Sequence, residues 1–116
     1  MHAFSRPEYE LSPERAAELL SNGAAQLIDV RERYEHDAGR IAAARHVELE
    51  RLASQADSID RERPVIFHCR LGARSGMATE AFRSAGYDAY NLAGGIQAWV
   101  DHGLAIEPPD GHVADH

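Results

Sequence analysis

The sequence predicts an α/β protein with a parallel sheet covered by helices on both faces. Short apolar runs at residues 25–30 (AQLIDV) and 64–69 (PVIFHC) are typical of strands buried on both sides. Segments with helical spacing of apolar residues separate these runs. The chain of 116 residues suits a single domain with its own core. We expect that domain over residues 1–107 and a disordered C-terminal tail over 108–116.

The first third of the chain predicts a strand, a helix and a second strand. Residues 9–11 (YEL) are the candidate first strand. Ser12 can cap the helix that follows, Pro13 suits its first turn, and residues 22–23 (Asn-Gly) end it. The apolar run at 25–30 then predicts a buried strand.

The middle of the chain is less regular. One helical turn near residues 34–37 and a short strand at 46–47 are predicted within residues 31–47. The next segment predicts one helix, because its apolar residues share a helical stripe: Leu49, Leu52, Ala53, Ala56 and Ile59.

The remaining elements follow the strand at 64–69. A helix over residues 75–85 is predicted by the spacing of Met77, Ala78, Ala81, Phe82 and Ala85. A short strand at 87–92 (YDAYNL) comes next. A last helix is expected between the glycines of GGIQAWVDHG (94–103), with Trp99 in the core.

Charge and cysteine content exclude several classes of function. The formal net charge of -7 argues against nucleic acid or an anionic membrane as the main partner. The single cysteine excludes an internal disulfide, so a second thiol must come from another molecule. The chain has no apolar run near 18 residues and no signal-peptide core at its N-terminus, and we expect a cytoplasmic protein.

Cys69, the lone cysteine, ends the strand at 64–69. Ligands of parallel α/β sheets bind at the carboxyl ends of the strands, so Cys69 lies at the expected crevice. The end of the strand at 25–30 meets the same edge, which brings Asp29 and Arg31 near it. A lone cysteine in an apolar strand is otherwise a small buried hydrophobe, and that alternative stays open.

The residues after Cys69 favour a reactive thiol. Their amide N–H groups can form an anion-binding nest backed by the helix that follows. Together with two guanidinium groups, these dipoles favour the thiolate and bind an anionic substrate group. The loop therefore predicts Cys69 as the nucleophile and the following residues as the substrate-binding loop: Arg70, Leu71, Gly72, Ala73, Arg74 and Ser75.

Three ordered segments resemble the single-domain rhodaneses, a sulfurtransferase family. Residues 27–49 (LIDVRERYEHDAGRIAAARHVEL) resemble the family's Asp-Val-Arg strand end, and 65–75 (VIFHCRLGARS) its active-site loop. Residues 91–103 (NLAGGIQAWVDHG) resemble its closing Gly-Gly-Ile-x-x-Trp element. One departure is the stretch 39–44 (GRIAAA), where the family often has Gly-His-Ile-Pro-Gly-Ala.

The resemblance implies a rhodanese-like, five-stranded, mostly parallel sheet and a thiosulfate sulfurtransferase activity. Cys69 would carry a persulfide formed from thiosulfate or a persulfide donor, and cyanide or a thiol would accept the sulfur. A sulfur-accepting protein is a further partner to consider. No cofactor, metal, nucleic acid or membrane is implied.

Two alternative functions stay open. Rhodanese-like modules also serve as non-catalytic docking or regulatory domains. Related cysteine phosphatases carry five residues between Cys and Arg, whereas four lie between Cys69 and Arg74. The shorter loop favours sulfur over phosphate chemistry.

The other polar residues are assigned supporting roles. We expect Arg70 at the rim of the loop, and Arg74 partly structural, paired with Asp29 or Glu32. Asp29 is interpreted as a hydrogen-bond acceptor that orients a loop, and His68 as a packed histidine, because strand alternation turns it away from Cys69.

Overall fold

The computed structural model describes residues 7–116 as a five-stranded sheet with helices on both faces, and this confirms the predicted fold class. The strands are β1 (Glu10–Leu11), β2 (Gln26–Asp29), β3 (Ala44–His46), β4 (Val65–His68) and β5 (Ala89–Leu92). The helices are α1 (Pro13–Ser21), α2 (Arg33–Ala38), α3 (Leu52–Gln55), α4 (Ala73–Ser84) and α5 (Gly95–Asp101). The strand order is β1-β5-β4-β2-β3, and the named strands all pair in parallel.

The sheet separates two apolar clusters. Alternation along β4 sends Ile66 to the cluster under α1 and α5, and Phe67 to the cluster under α3 and α4. Trp99 of α5 belongs to the first cluster and is buried, as the sequence predicts. β4 lies at the centre of the sheet, so the residue that follows it emerges between both helical layers.

Local signals set the ends of several elements. The Ser12 side chain accepts a hydrogen bond from the Arg15 N–H, at 3.1 Å, and Pro13 begins α1 as expected. The predicted single helix over 49–59 is wrong, because this segment is split into a 3-10 turn, the short α3 and a second 3-10 turn. Leu52 and Ile59 are still buried, whereas Ala53 faces solvent.

The buried face of α4 is rotated from the predicted stripe. Met77 is exposed, and the face that packs on the sheet includes Ser75, Ala78, Thr79 and Phe82. Both polar side chains have partners in this buried position: the Thr79 hydroxyl donates to the Ser75 carbonyl oxygen, at 2.9 Å, and the Ser75 hydroxyl donates to Cys69 Sγ, at 3.3 Å. Apolar spacing alone missed this face, since two of its members are not apolar.

The C-terminal segment also differs from the sequence-based expectation. Residues 108–116, predicted as a disordered tail, lie against the domain: the His112 N–H donates to the Ala38 carbonyl oxygen, at 3.0 Å, and Val113 packs on an apolar cluster. Within residues 7–116, no helix is both long and apolar enough to span a bilayer.

Candidate active site

Cys69 directly follows β4 at the carboxyl edge of the sheet, one residue beyond the strand end. The residue is 2% exposed. It lies on the wall of a pocket of about 220 Å³, and five of the predicted site residues line that pocket. The lining consists of Cys69, Arg70, Leu71, Ala73, Arg74 and His116. This pocket therefore gives a small reagent a route to the thiol.

Two donors of the loop contact the sulfur of Cys69. The Gly72 N–H donates to Sγ at 3.0 Å, and the Ser75 hydroxyl donates to it at 3.3 Å. Gly72 has a φ of +115°, in the range that glycine adopts most readily, and α4 begins directly after it. The turn between strand and helix thus places hydrogen-bond donors on the sulfur, and both donors suit a negative charge there.

The N-terminus of α5 binds the backbone of the cysteine loop. The Ile96 N–H donates to the Cys69 carbonyl oxygen at 3.0 Å, and the Gln97 N–H donates to that of Arg70 at 3.1 Å. Gly95 lies so close that a Cβ there would be 2.4 Å from the Arg70 carbonyl oxygen. The sequence analysis missed this contact; the glycine pair before a helix was the available signal.

Asn91 at the end of β5 ties the loop to β1. Its Nδ2 donates to the Gly72 carbonyl oxygen and to Oε2 of Glu10, both at 3.0 Å. Asn91 is buried. It was not among the predicted site residues, because a single asparagine in an apolar strand has no distinctive sequence signal.

Arg74 pairs with Glu35 of α2, not with Asp29 or Glu32 as the sequence suggested. Its two terminal nitrogens donate to the two Glu35 oxygens at 2.9 and 3.0 Å. Glu35 also accepts the Glu32 N–H, at 3.1 Å, in a capping box that starts α2. Burial alone would raise the pKa of Glu35, but the hydrogen bonds from Arg74 and Glu32 hold it below its usual range. Arg74 therefore pairs with a carboxylate as expected, but that carboxylate belongs to Glu35.

Arg70 lies at the rim of the pocket. Its Nη2 donates to Oδ1 of Asp115 at 3.1 Å. The Arg70 side chain is 28% exposed and that of Asp115 is 96% exposed. Arg70 thus presents a guanidinium group beside the thiol, held by one solvent-exposed carboxylate.

Asp29 and Arg31 form a buried pair beside the site. The Asp29 carboxylate accepts the Arg31 backbone N–H at 3.0 Å and its guanidinium at 2.9 and 2.8 Å. Burial alone would raise the pKa of Asp29, but His68, Arg31 and His36 around it hold it well below its usual range. Arg31 also donates to the Gly39 carbonyl oxygen at 2.8 Å. Asp29 accepts hydrogen bonds, as its interpretation as an acceptor expects, and His68 is fully buried as expected.

Three groups of the described residues come close enough to share a cation. The ligand atoms of Glu32, Glu35 and His116 lie within 4.8 Å of one another. Glu35 is the buried member of this cluster, and both of its oxygens already accept hydrogen bonds from the Arg74 guanidinium. Its charge is thus already balanced by a cationic side chain. The cluster is read as part of the ion-pair network beside the pocket.

Comparison with known proteins places these residues in a recognised context. The model of the rhodanese-like domain matches residues 12–102. Thiosulfate sulfurtransferase GlpE of Actinobacillus pleuropneumoniae is 33% identical over 99 residues, which cover 84% of this chain and 92% of that protein. Uncharacterized protein YqhL of Bacillus subtilis is 41% identical over 76 residues, and the match spans 65% of this chain but only 60% of that protein.

A solved structure has a similar fold. The rhodanese-related protein of Thermoplasma volcanium superimposes with a TM-score of 0.78 at 26% identity, over 84% of this chain and 95% of that one. Both Cys69 and the loop after it lie within the range of the family match, whereas residues 103–116 lie outside it.

Proposed function

The chain belongs to the rhodanese-like domain family, and from this membership we propose that it is a sulfurtransferase that carries sulfane sulfur on Cys69. The supporting observation is the environment of Sγ, which faces a small pocket and accepts hydrogen bonds from the Gly72 N–H and the Ser75 hydroxyl. Thiosulfate or a persulfide is the proposed donor, and cyanide, a thiol or a sulfur-accepting protein the acceptor.

The first half-reaction loads the enzyme. The Cys69 thiolate attacks the outer sulfur of thiosulfate, a sulfur–sulfur bond forms, and the bond to the sulfonate breaks with its electron pair leaving on sulfite. Arg70 at the rim binds the anionic end of the donor. No proton is needed by the leaving sulfite, which agrees with a pocket whose lining side chains include no carboxylic acid.

The second half-reaction unloads it. An acceptor nucleophile attacks the terminal sulfur of the persulfide, and the electron pair of the breaking bond returns to Cys69 as thiolate. The two donors on Sγ stabilise the negative charge of the thiolate, which is the nucleophile of the first half-reaction and the leaving group of the second. With cyanide the product is thiocyanate.

The bidentate Arg74–Glu35 pair argues against a phosphatase. A phosphatase of this kind would need the arginine of the loop to grip the phosphate, but both terminal nitrogens of Arg74 are already bound to Glu35. The four-residue spacing between Cys69 and Arg74 points the same way. A non-catalytic docking module does not need a stabilised thiolate, so the two donors on Sγ favour catalysis over that alternative.

Mass spectrometry after incubation with thiosulfate tests the proposal. Because Cys69 is the only cysteine, the expected result is a gain of one sulfur atom on that residue, which cyanide removes as thiocyanate. Cys69→Ser is the control and should gain no sulfur. An intact, folded protein that never gains sulfur from thiosulfate or from an organic persulfide would favour the docking module instead.

A further inference from the structure

The C-terminal segment follows one path along the edge of the active site. Its backbone pairs with Arg40 through Glu107, with N–O distances of 2.8 and 2.7 Å, and its contacts then move toward the start of α2. His112 lies against Gly39, where an added Cβ would be 2.4 Å from the His112 carbonyl oxygen. The segment therefore runs antiparallel to residues 32–40.

The last residue of this path lines the pocket, and the residue before it contacts Arg70 at the rim of the pocket. The Tyr34 hydroxyl donates to the Asp115 carbonyl oxygen at 3.0 Å, which holds the backbone of the segment in place. His116 lines the pocket of Cys69, and its Nε2 lies 3.0 Å from Oε2 of Glu32. The Asp115 side chain then falls on the guanidinium of Arg70.

We propose that Asp115 is a specificity-determining residue that competes with anionic sulfur donors for Arg70. This inference rests on the proposed function, because it concerns the donor that reaches Cys69. The segment lies outside the range of the family match, which ends at residue 102.

Charge and exposure set the size of the competition. The carboxylate of Asp115 offers Arg70 the same kind of partner as the sulfonate of thiosulfate. An ion pair with one partner 96% exposed is weak, so a donor can displace it. The resulting discrimination against anions is about 1.5- to fivefold. A neutral donor forms no ion pair with the Arg70 guanidinium, so Asp115 should not change its binding.

Alkylation of Cys69 tests the inference without requiring sulfur transfer. Iodoacetate carries a carboxylate and iodoacetamide is neutral, and both modify the single cysteine. Asp115→Asn should raise the ratio of the iodoacetate rate to the iodoacetamide rate by about 1.5- to fivefold. Asp110→Asn is the matched control: it removes the same charge from an exposed aspartate of the same segment and should leave the ratio unchanged.

Tyr34→Phe tests the geometry without changing any charge. It removes the hydroxyl that holds the Asp115 backbone, so it should shift the ratio in the same direction and by less. Steady-state kinetics with thiosulfate should show a lower KM in Asp115→Asn, while the KM for an uncharged organic persulfide stays the same.

The outcomes separate this inference from the proposed function. An unchanged alkylation ratio in both Asp115→Asn and Tyr34→Phe, or an equal shift in Asp110→Asn, would overturn the role of Asp115. A shifted ratio in a protein that transfers sulfur from no donor would support the contact of Asp115 with Arg70 and overturn the sulfurtransferase.

Discussion

The two arginines of the cysteine loop make the same kind of ion pair in opposite surroundings. Arg74 binds both oxygens of Glu35, whose side chain is fully buried. Arg70 binds one oxygen of Asp115, which is almost fully exposed. Removing one partner from a buried pair leaves an uncompensated charge in the interior, whereas an exposed pair is solvated as soon as it opens.

Because of this difference, the two arginines have different roles in the cysteine loop. The inner side, made by Arg74, Glu35 and the start of α5, holds the shape of the loop around Sγ. The outer side consists of Arg70 and the C-terminal segment. Its ion pair is weak, so Arg70 can release the Asp115 carboxylate and bind an anionic substrate instead. The predictions below test this division, in order of their expected effect on the free energy of unfolding.

Arg74→Ala should have the largest effect. It leaves the buried Glu35 carboxylate without its cationic partner, which should lower the free energy of unfolding by about 3 kcal/mol. Sulfur transfer should fall with every donor, because the shape of the loop is lost together with the charge. Urea unfolding and steady-state kinetics with thiosulfate and a neutral persulfide measure the two effects.

Arg33→Ala is the matched control for Arg74→Ala. Arg33 is an exposed arginine of α2 that lies 4.0 Å from Asp37, so its loss should change the free energy of unfolding by less than about 0.5 kcal/mol. Equal losses of stability in Arg33→Ala and Arg74→Ala would mean that burial does not separate these pairs.

Gly95→Ala should have the second largest effect on stability, because it places a methyl group against the backbone of the cysteine loop. The new Cβ would meet the carbonyl oxygens of Arg70 and Cys69 at 2.4 and 2.7 Å. Gly103→Ala is the control, because Gly103 also has a positive φ but no atom within 4 Å of the added Cβ. The free energy of unfolding should fall by about 1–3 kcal/mol more in Gly95→Ala than in Gly103→Ala. Matching losses would show that the loop does not rest on α5.

Acid should weaken the inner side selectively. The folded-state pKa of Glu35 is below its usual range, so its contribution to stability is present above the unfolded value of about 4.3 and is lost as the pH falls through the lower folded value. Glu35→Gln should therefore flatten the dependence of the free energy of unfolding on pH in the acid range. Asp29, whose pKa is also lowered, should retain part of that dependence. Urea titrations of both proteins between neutral and acid pH test this, and parallel curves would contradict it.

Arg70→Ala should change stability least. Its guanidinium pairs with the exposed Asp115, so the melting temperature should stay close to that of the parent. The KM for thiosulfate should rise about ten- to a hundredfold, while a neutral donor is affected much less. Thermal melts and kinetics with both donors decide the matter; equal losses for the two donors would remove Arg70 from anion binding.

Much of the framework could be predicted because its signals are local. Ser12 and Pro13 begin α1 through contacts within one turn, and buried parallel strands are apolar wherever they lie in the chain. The burial of α4 could not be derived in the same way, since Ser75 and Thr79 face inward where the apolar pattern points elsewhere. The Ser75 hydroxyl is buried against Cys69 Sγ, and that partner lies outside the helix, so the helix alone does not specify it.

The sequence by itself determined the α/β class, the place of Cys69 at the end of a buried strand, and the two arginines that follow it. Only the tertiary structure decided which carboxylate meets which arginine. Glu35 and Asp115 lie 39 and 45 residues from their partners, and several other acidic residues were open to the same pairing. The choice depends on how α2 and the C-terminal segment pack beside the loop, because charge attracts from any direction while burial and hydrogen-bond geometry select one partner.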